Sequence, residues 1–233
     1  MKQYIYLIFL FTLFACSNSS DAYLKRGREL LAIQKYEDAK DFLNKAIEQN
    51  PKNANAFNAR GVAHFNLNDA SNAMLDYNQA IKLDNKNYKP FQNRAILHAS
   101  QNQLDEALND YNKAILLRPD TFNLYSSRGF LHYRLKSYEK ALADFNQALN
   151  LNSRDKEALF NRGNIYYEQQ KWSDAMRDFK ICLQLDGNFA RAYYALGLAQ
   201  VYGEQLENAC QNLQQAAKMG VNEALSAKVK FCK

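Results

Sequence analysis

Residues 53–87 read NANAFNARGVAHFNLNDASNAMLDYNQAIKLDNKN, and the reading of this stretch decides the fold. It holds two amphipathic segments joined by a polar turn at Asn68-Asp69. Gly61 in the first segment is followed by Ala73, Tyr77 and Ala80 in the second. Sliding this frame by 34 residues fits the chain again in both directions, giving six copies without insertion or deletion. The glycine slot holds Gly27, Gly61, Ala95, Gly129, Gly163 and Gly197. The first alanine slot holds Ala39, Ala73, Ala107, Ala141, Ala175 and Ala209, and the second Ala46, Ala80, Ala114, Ala148, Cys182 and Ala216. Between them stand Leu43, Tyr77, Tyr111, Phe145, Phe179 and Leu213. A fixed period of this length means stacked supersecondary units, each burying its apolar face on its neighbours.

Within one copy the spacing predicts two helices. Helix A runs over about 55–66, where Phe57, Gly61 and His64 fall on one face, and helix B over about 71–83, where Ala73, Tyr77 and Ala80 do the same. Ser71 is the expected N-cap of helix B. The Gly and Ala slots mark where two backbones approach closely, and the large residue fills the space beside them.

This period and pattern resemble the tetratricopeptide repeat (TPR), with Pro51 and Pro119 at the repeat-end position where that family often carries proline. The resemblance covers about residues 20–223. It implies an all-α fold: a right-handed solenoid of six helix hairpins at 20–53, 54–87, 88–121, 122–155, 156–189 and 190–223. The repeats at 20–221 are followed by a capping helix at 222–233. It also implies a concave groove that takes a peptide or protein partner, with no catalytic activity and no cofactor. In the family the groove is lined by helix A positions turned away from helix B. Carried over, these include Asn58 and Phe65 in the second copy, Gln92 in the third, Phe130 and Tyr133 in the fourth, Phe160, Asn164 and Tyr167 in the fifth, and Tyr194 in the sixth. Some of these residues are expected to pack on a neighbouring helix A instead. The lysine and asparagine pattern with which some TPRs clamp a C-terminal carboxylate is missing, so that ligand is not expected.

Arg26, Arg60, Arg94, Arg128 and Arg162 recur just before the glycine slot. They form either an anion-binding ladder or one half of a set of ion pairs. Asp76, Asp110, Asp144 and Asp178 recur sixteen residues later. Gly61 and Ala73 are symmetric about residue 67, and Arg60 and Asp76 about residue 68, so both pairs face each other across one turn. The pairs Arg60–Asp76, Arg94–Asp110, Arg128–Asp144 and Arg162–Asp178 are therefore expected to be structural. In the sixth copy Leu196 and Asn212 replace both charges together. His64, His98 and His132 also lie 34 apart. Equivalent positions in stacked repeats are one or two helix spacings of 8–10 Å apart, whereas zinc needs its nitrogens at about 2 Å, so they read as packing residues and no metal is expected. No Gly-rich phosphate loop, HExxH motif or paired carboxylates in a cleft occur in the sequence.

The first fifteen residues, MKQYIYLIFLFTLFA, read as a targeting segment: Lys2 precedes an apolar run from Tyr4 to Phe14, too short to span a bilayer. Leu13-Phe14-Ala15-Cys16 resembles a bacterial lipobox. This implies cleavage after residue 15, lipidation of Cys16 and a short tether over 16–20, as in outer-membrane TPR lipoproteins; a plain secretory leader with a chance Cys is the alternative. Ser17 after the Cys resembles the outer-membrane sorting signal and implies a periplasm-facing chain. Loss of Lys2 would lower the formal charge from +6 to +5, with the basic residues dispersed, so no nucleic-acid partner is expected. An oxidising compartment permits disulfides. Gly220 and Asn222 mark a turn, and Cys210 and Cys232 are symmetric about residue 221, so two antiparallel helices hinged there bring these thiols together as a disulfide. Cys182, in an alanine slot, is expected to stay a buried free thiol. The function read from the sequence is a membrane-tethered scaffold in the bacterial cell envelope. It recruits soluble envelope enzymes or, alternatively, serves as an assembly component of a secretion or pilus machine.

Overall fold

A computed structural model describes residues 19–232. The leader at 1–15, Cys16 and the first part of the tether lie outside the described residues, which contain thirteen α-helices and no strand. They divide into two compact units that meet at residues 85 and 86, close to the boundary between the second and third repeats. In a repeat array each hairpin packs only on its neighbours, so repeat boundaries are where contacts thin.

The first unit holds α1 (Ser20–Ala32), α2 (Tyr36–Gln49), α3 (Ala54–Asn66) and α4 (Ala70–Leu83), paired as hairpins α1–α2 and α3–α4. Leu24, Leu30, Ala39, Leu43, Ala46, Ala56 and Ala59 form its core. A chain of hydrogen bonds stitches the hairpins: Asn53 donates to Ser20 Oγ at 2.8 Å, Ser20 donates to the Ala46 carbonyl at 2.7 Å, and Asn53 Oδ1 caps α3 by accepting from Ala56 N. The cap of α4 is Asp69, which accepts from Asn72 N at 3.1 Å, and not Ser71. The reason lies in the turn. Asn68 is left-handed (φ 61°), which reverses the chain within one residue and lets helix B resume earlier. All six A–B turns use this device, at Gln34, Asn68, Asn102, Lys136, Gln170 and Glu204.

The second unit holds four hairpins: α5 (Tyr88–Ser100) with α6 (Leu104–Leu117), α7 (Phe122–Arg134) with α8 (Tyr138–Leu151), α9 (Lys156–Glu168) with α10 (Trp172–Leu185), and α11 (Ala190–Tyr202) with α12 (Leu206–Lys218). A last helix, α13 (Asn222–Phe231), packs on α12. The glycine slot works by contact. A Cβ placed on Gly163 would lie 2.6 Å from Phe179 Cε1, and one on Gly61 would lie 2.6 Å from Tyr77 Cε1. Gly220, at φ +90°, stops α12 as its spacing implies. Asn222 starts α13 as its first residue, and Val221 holds the cap position without a side-chain bond. A disulfide joins Cys210 on α12 to Cys232 past the end of α13, with their Cα atoms 5.7 Å apart. Cys182 is buried and free, and burial pushes its thiol pKa up to about 12.

The four Arg–Asp pairs bridge helix A to helix B inside their hairpins. Each is a bidentate fork, with Arg60, Arg94, Arg128 and Arg162 each donating from Nε and Nη2 to the two carboxylate oxygens at 2.6–2.8 Å. The aspartates are buried. A third arm was not anticipated from the sequence: Nη1 of Arg60, Arg128 and Arg162 donates to Asn44, Asn112 and Asn146 on helix B of the preceding repeat. Each arginine so ties two successive repeats. In the outer copies the fork is missing. Arg26 turns to Glu29 on its own helix, and Asn212 donates to Gln200 at 2.7 Å.

Candidate functional site

The helix A faces of the second unit converge on two adjoining cavities. The larger, about 450 Å³, is lined from α5, α7, α9 and α11 by Ile96, Ala99, Ser126, Phe130, Glu157 and Phe160, among others. The smaller, about 290 Å³, is lined by Tyr133, Phe160, Asn164, Tyr167, Glu168, Tyr194 and Leu198. Arg191 and Phe160 belong to both.

Six of the residues carried over from the family pattern therefore come together: Phe130, Tyr133, Phe160, Asn164, Tyr167 and Tyr194. Their roles differ. Phe130 is 43% exposed and presents its ring to solvent. Phe160 is 9% exposed and packs on Phe179 and Phe189 at ring separations of 5.8 and 4.9 Å, so it is the floor of the groove and part of the core. Tyr167 is half-buried, edge-on to Trp172 at 5.1 Å and to Tyr202 at 6.0 Å. Burial raises the phenol pKa values of Tyr133 and Tyr194 and pushes that of Tyr167 to about 12, so all three are neutral hydrogen-bonding groups at physiological pH.

Three carried-over residues fall outside these cavities. Asn58 is 7% exposed on α3 and lines neither cavity. Phe65 is half-buried and does not line the first unit's own cavity, formed by Asp21, Leu24, Lys25, Arg28, Glu29, Ala32 and Asn55. Gln92 is half-buried on α5 and lines neither cavity, whereas Ile96 and Ala99, carried over with it from the same helix A pattern, line the larger.

Charged residues of the groove went unread in the sequence. Glu157 and Arg191 occupy the second residue of helix A, and Arg134 and Glu168 the thirteenth. Each pair shares a slot 34 apart but differs in sign, so the repeat gave no signal for them. The Arg191 guanidinium lies over the Phe160 and Phe189 rings, 5.5 and 5.4 Å from their centroids, a cation–π stack. Arg134 donates to Asn102 at 2.9 Å. Two of the histidines serve their own turns: His98 Nδ1 is 2.6 Å from Gln103 Oε1, and His64 Nδ1 is 3.1 Å from Asp69. No grouping of His, Cys, Asp and Glu able to hold a metal occurs among the described residues.

Two family models match the chain, "Tetratricopeptide repeat" over residues 24–88 and "TPR repeat" over 97–136, 134–170 and 163–202, together most of its length. The chain is a tetratricopeptide repeat protein. No curated protein matches it. Among solved structures, PilF of Pseudomonas aeruginosa is 22% identical, with a TM-score of 0.84 over 91% of this chain and 97% of that one. PilW, described as a widely conserved type IV pilus biogenesis factor, is 18% identical with a TM-score of 0.78, over 90% and 98%. YrrB, described as a TPR protein with an unusual peptide-binding site, is 24% identical with a TM-score of 0.67, over 80% and 97%. At these identities the likeness is one of fold. This TPR chain is thus an all-α solenoid whose fold serves protein–protein interaction, with no described helix long and apolar enough to cross a membrane.

Proposed function

We propose that this TPR protein is a scaffold in the bacterial cell envelope, held at a membrane by lipid on Cys16, that binds an extended segment of a protein partner along α5, α7, α9 and α11. The observation that carries the reading is the pair of adjoining cavities, rimmed by Phe130, Tyr133 and Tyr194 and sharing Phe160 as floor. Aromatic anchors beside amides such as Asn164 suit a peptide bound through a few large side chains. The partners of the first reading are soluble envelope enzymes brought to the membrane. A second reading, an assembly component of a pilus or secretion machine, is favoured by the near full-length likeness to PilF and PilW.

Crosslinking in intact cells followed by purification separates the two: soluble hydrolases or proteases support the adaptor, and integral subunits of one machine support the assembly role. The anchor is tested by Cys16→Ser, which is expected to leave a folded protein that no longer sediments with membranes. Sedimentation persisting after a salt wash would refute the lipid anchor.

A further inference from the structure

The groove described above carries a cation that is paired with no carboxylate among the described residues. Arg60, Arg128 and Arg162 spend their guanidinium groups on aspartates and asparagines. Arg191 instead lies exposed over Phe160 and Phe189 and has no acidic partner among the described residues. Stacking on two rings holds the planar fork in place while leaving its N–H groups to solvent, and such a fork matches a carboxylate with two parallel hydrogen bonds. Arg191 also stands where the two cavities meet, so a chain lying across it continues into an apolar-walled space on either side. Arg134 and Arg191 stand against Glu157 and Glu168 over the two cavities together, and of the two cations Arg191 is the one shared by both.

We propose that Arg191 anchors an Asp or Glu side chain within an extended partner peptide, with apolar residues on both sides of that acid seated in the two cavities. The acid is internal to the peptide and not its C-terminal carboxylate, because the groove runs on past Arg191 in both directions. Arg134 adds a second cation on the side of the larger cavity. The proposal rests on the groove reading above and names the chemistry of its partner.

The test uses the full chain, purified in mild detergent, and a library of nonapeptides acetylated and amidated at their ends so that only side chains carry charge. The central residue is Glu, Gln or Lys, flanked by combinations of Leu, Phe and Ser, and binding is read by fluorescence polarisation. Glu peptides with apolar flanks are expected to bind about tenfold tighter than their Gln counterparts, the scale of one charge-assisted hydrogen bond. Arg191→Gln is expected to erase that preference while shifting the thermal melt by only about 2–4 °C, the scale of an exposed cation–π stack. Arg191→Lys, which keeps the stem over the rings and the charge but not the fork, is expected to weaken the Glu peptides several-fold. Equal binding of Glu and Gln peptides, with Phe130→Ala weakening both, overturns the acid anchor and leaves the groove standing. A preference for Lys overturns the assigned sign. Binding of none of the peptides overturns this proposal and the groove reading together.

Discussion

The Arg–Asp fork of the fifth repeat can be replaced by the arrangement the chain itself uses in the sixth. Asp178 is fully buried and accepts from Arg162 Nε and Nη2, both at 2.8 Å, while Arg162 is about one-sixth exposed and holds Asn146 with its remaining arm at 2.7 Å. Asp178→Asn removes the charge and one acceptor. Arg162→Leu leaves a fully buried carboxylate without its cation. Breaking a buried pair from one side costs 3–5 kcal/mol, and the residual exposure of Arg162 places each single variant near the lower end, about 3 kcal/mol. The double variant strands no charge and reproduces the Leu196 and Asn212 of the sixth repeat. It still lacks the Gln200 that Asn212 binds at 2.7 Å, because Tyr166 stands in that slot, and it leaves Asn146 without its donor. We therefore expect the double variant to cost about 3 kcal/mol where additivity gives about 6, a coupling of about 3 kcal/mol. Urea unfolding followed by circular dichroism and by the fluorescence of Trp172, the chain's single tryptophan and a residue of the same helix α10, measures it. Two probes are needed because repeat arrays do not always unfold in one step. A coupling below about 0.5 kcal/mol would refute the reasoning that each charge is costly when its partner alone is removed.

The thiols give a chemical count. In the oxidised full chain carrying Cys16→Ser, Cys182 is expected to resist iodoacetamide at pH 8 while folded and to be the one thiol labelled after unfolding without reductant; labelling of Cys210 and Cys232 as well would show that they are not joined. In the fifth glycine slot, Gly163→Val is expected to lose about 1–3 kcal/mol by forcing carbon into the Phe179 ring, measured by urea midpoint. Gly163→Ala should lose less, since Ala95 fills the same slot beside Tyr111 with no exposure. Burial lowers the pKa of His132 below its ordinary 6.5. The folded state then binds fewer protons than the unfolded one, so this contribution to stability is present above pH 6.5 and lost as pH falls through the folded value. His132→Gln should flatten the fall in melting temperature between pH 7 and pH 5, and an unchanged slope would refute the assignment.

The hairpins, their Arg–Asp forks and the C-terminal disulfide could be read from residue numbers alone because each depends on a relation the chain repeats or mirrors. A glycine facing Phe179 and a carboxylate facing Arg162 lie symmetrically about a turn, and two antiparallel helices turn that symmetry into contact. The caps were less legible. Ser71 has the right chemistry for an N-cap, but the left-handed residue before Asp69 decides where the helix restarts, and the residues in that role, such as Lys136 and Gln170, carry no glycine to reveal it. The groove was legible in its aromatic residues and not in its charges. Periodicity points to slots with one kind of occupant, whereas Glu157 and Arg191 share a slot and differ in sign.

That contrast separates what holds this protein together from what it recognises. The glycine, alanine and Asp slots face other parts of the chain, so the inner copies meet like neighbours and hold like residues, with Ala95 and Cys182 as small substitutes and the Asp slot changing in the outer copies. On the proposed function, helix A positions in the groove would face a peptide whose successive residues differ, and nothing in the stacking forces them to agree. Phe130, Asn164 and Leu198 occupy one slot in successive repeats and differ in size and polarity, yet all three line the cavities. Phe160 shows the limit of that freedom. It has a groove position but also packs on Phe179 and Phe189, so its replacement is expected to disturb fold and binding together. Phe130 and Arg191 are exposed and can change with little effect on the stacking. Recognition is therefore expected to reside in residues that break the 34-residue rule while standing in its slots. In this chain they are concentrated where an aromatic floor meets an arginine that the fold leaves without a carboxylate.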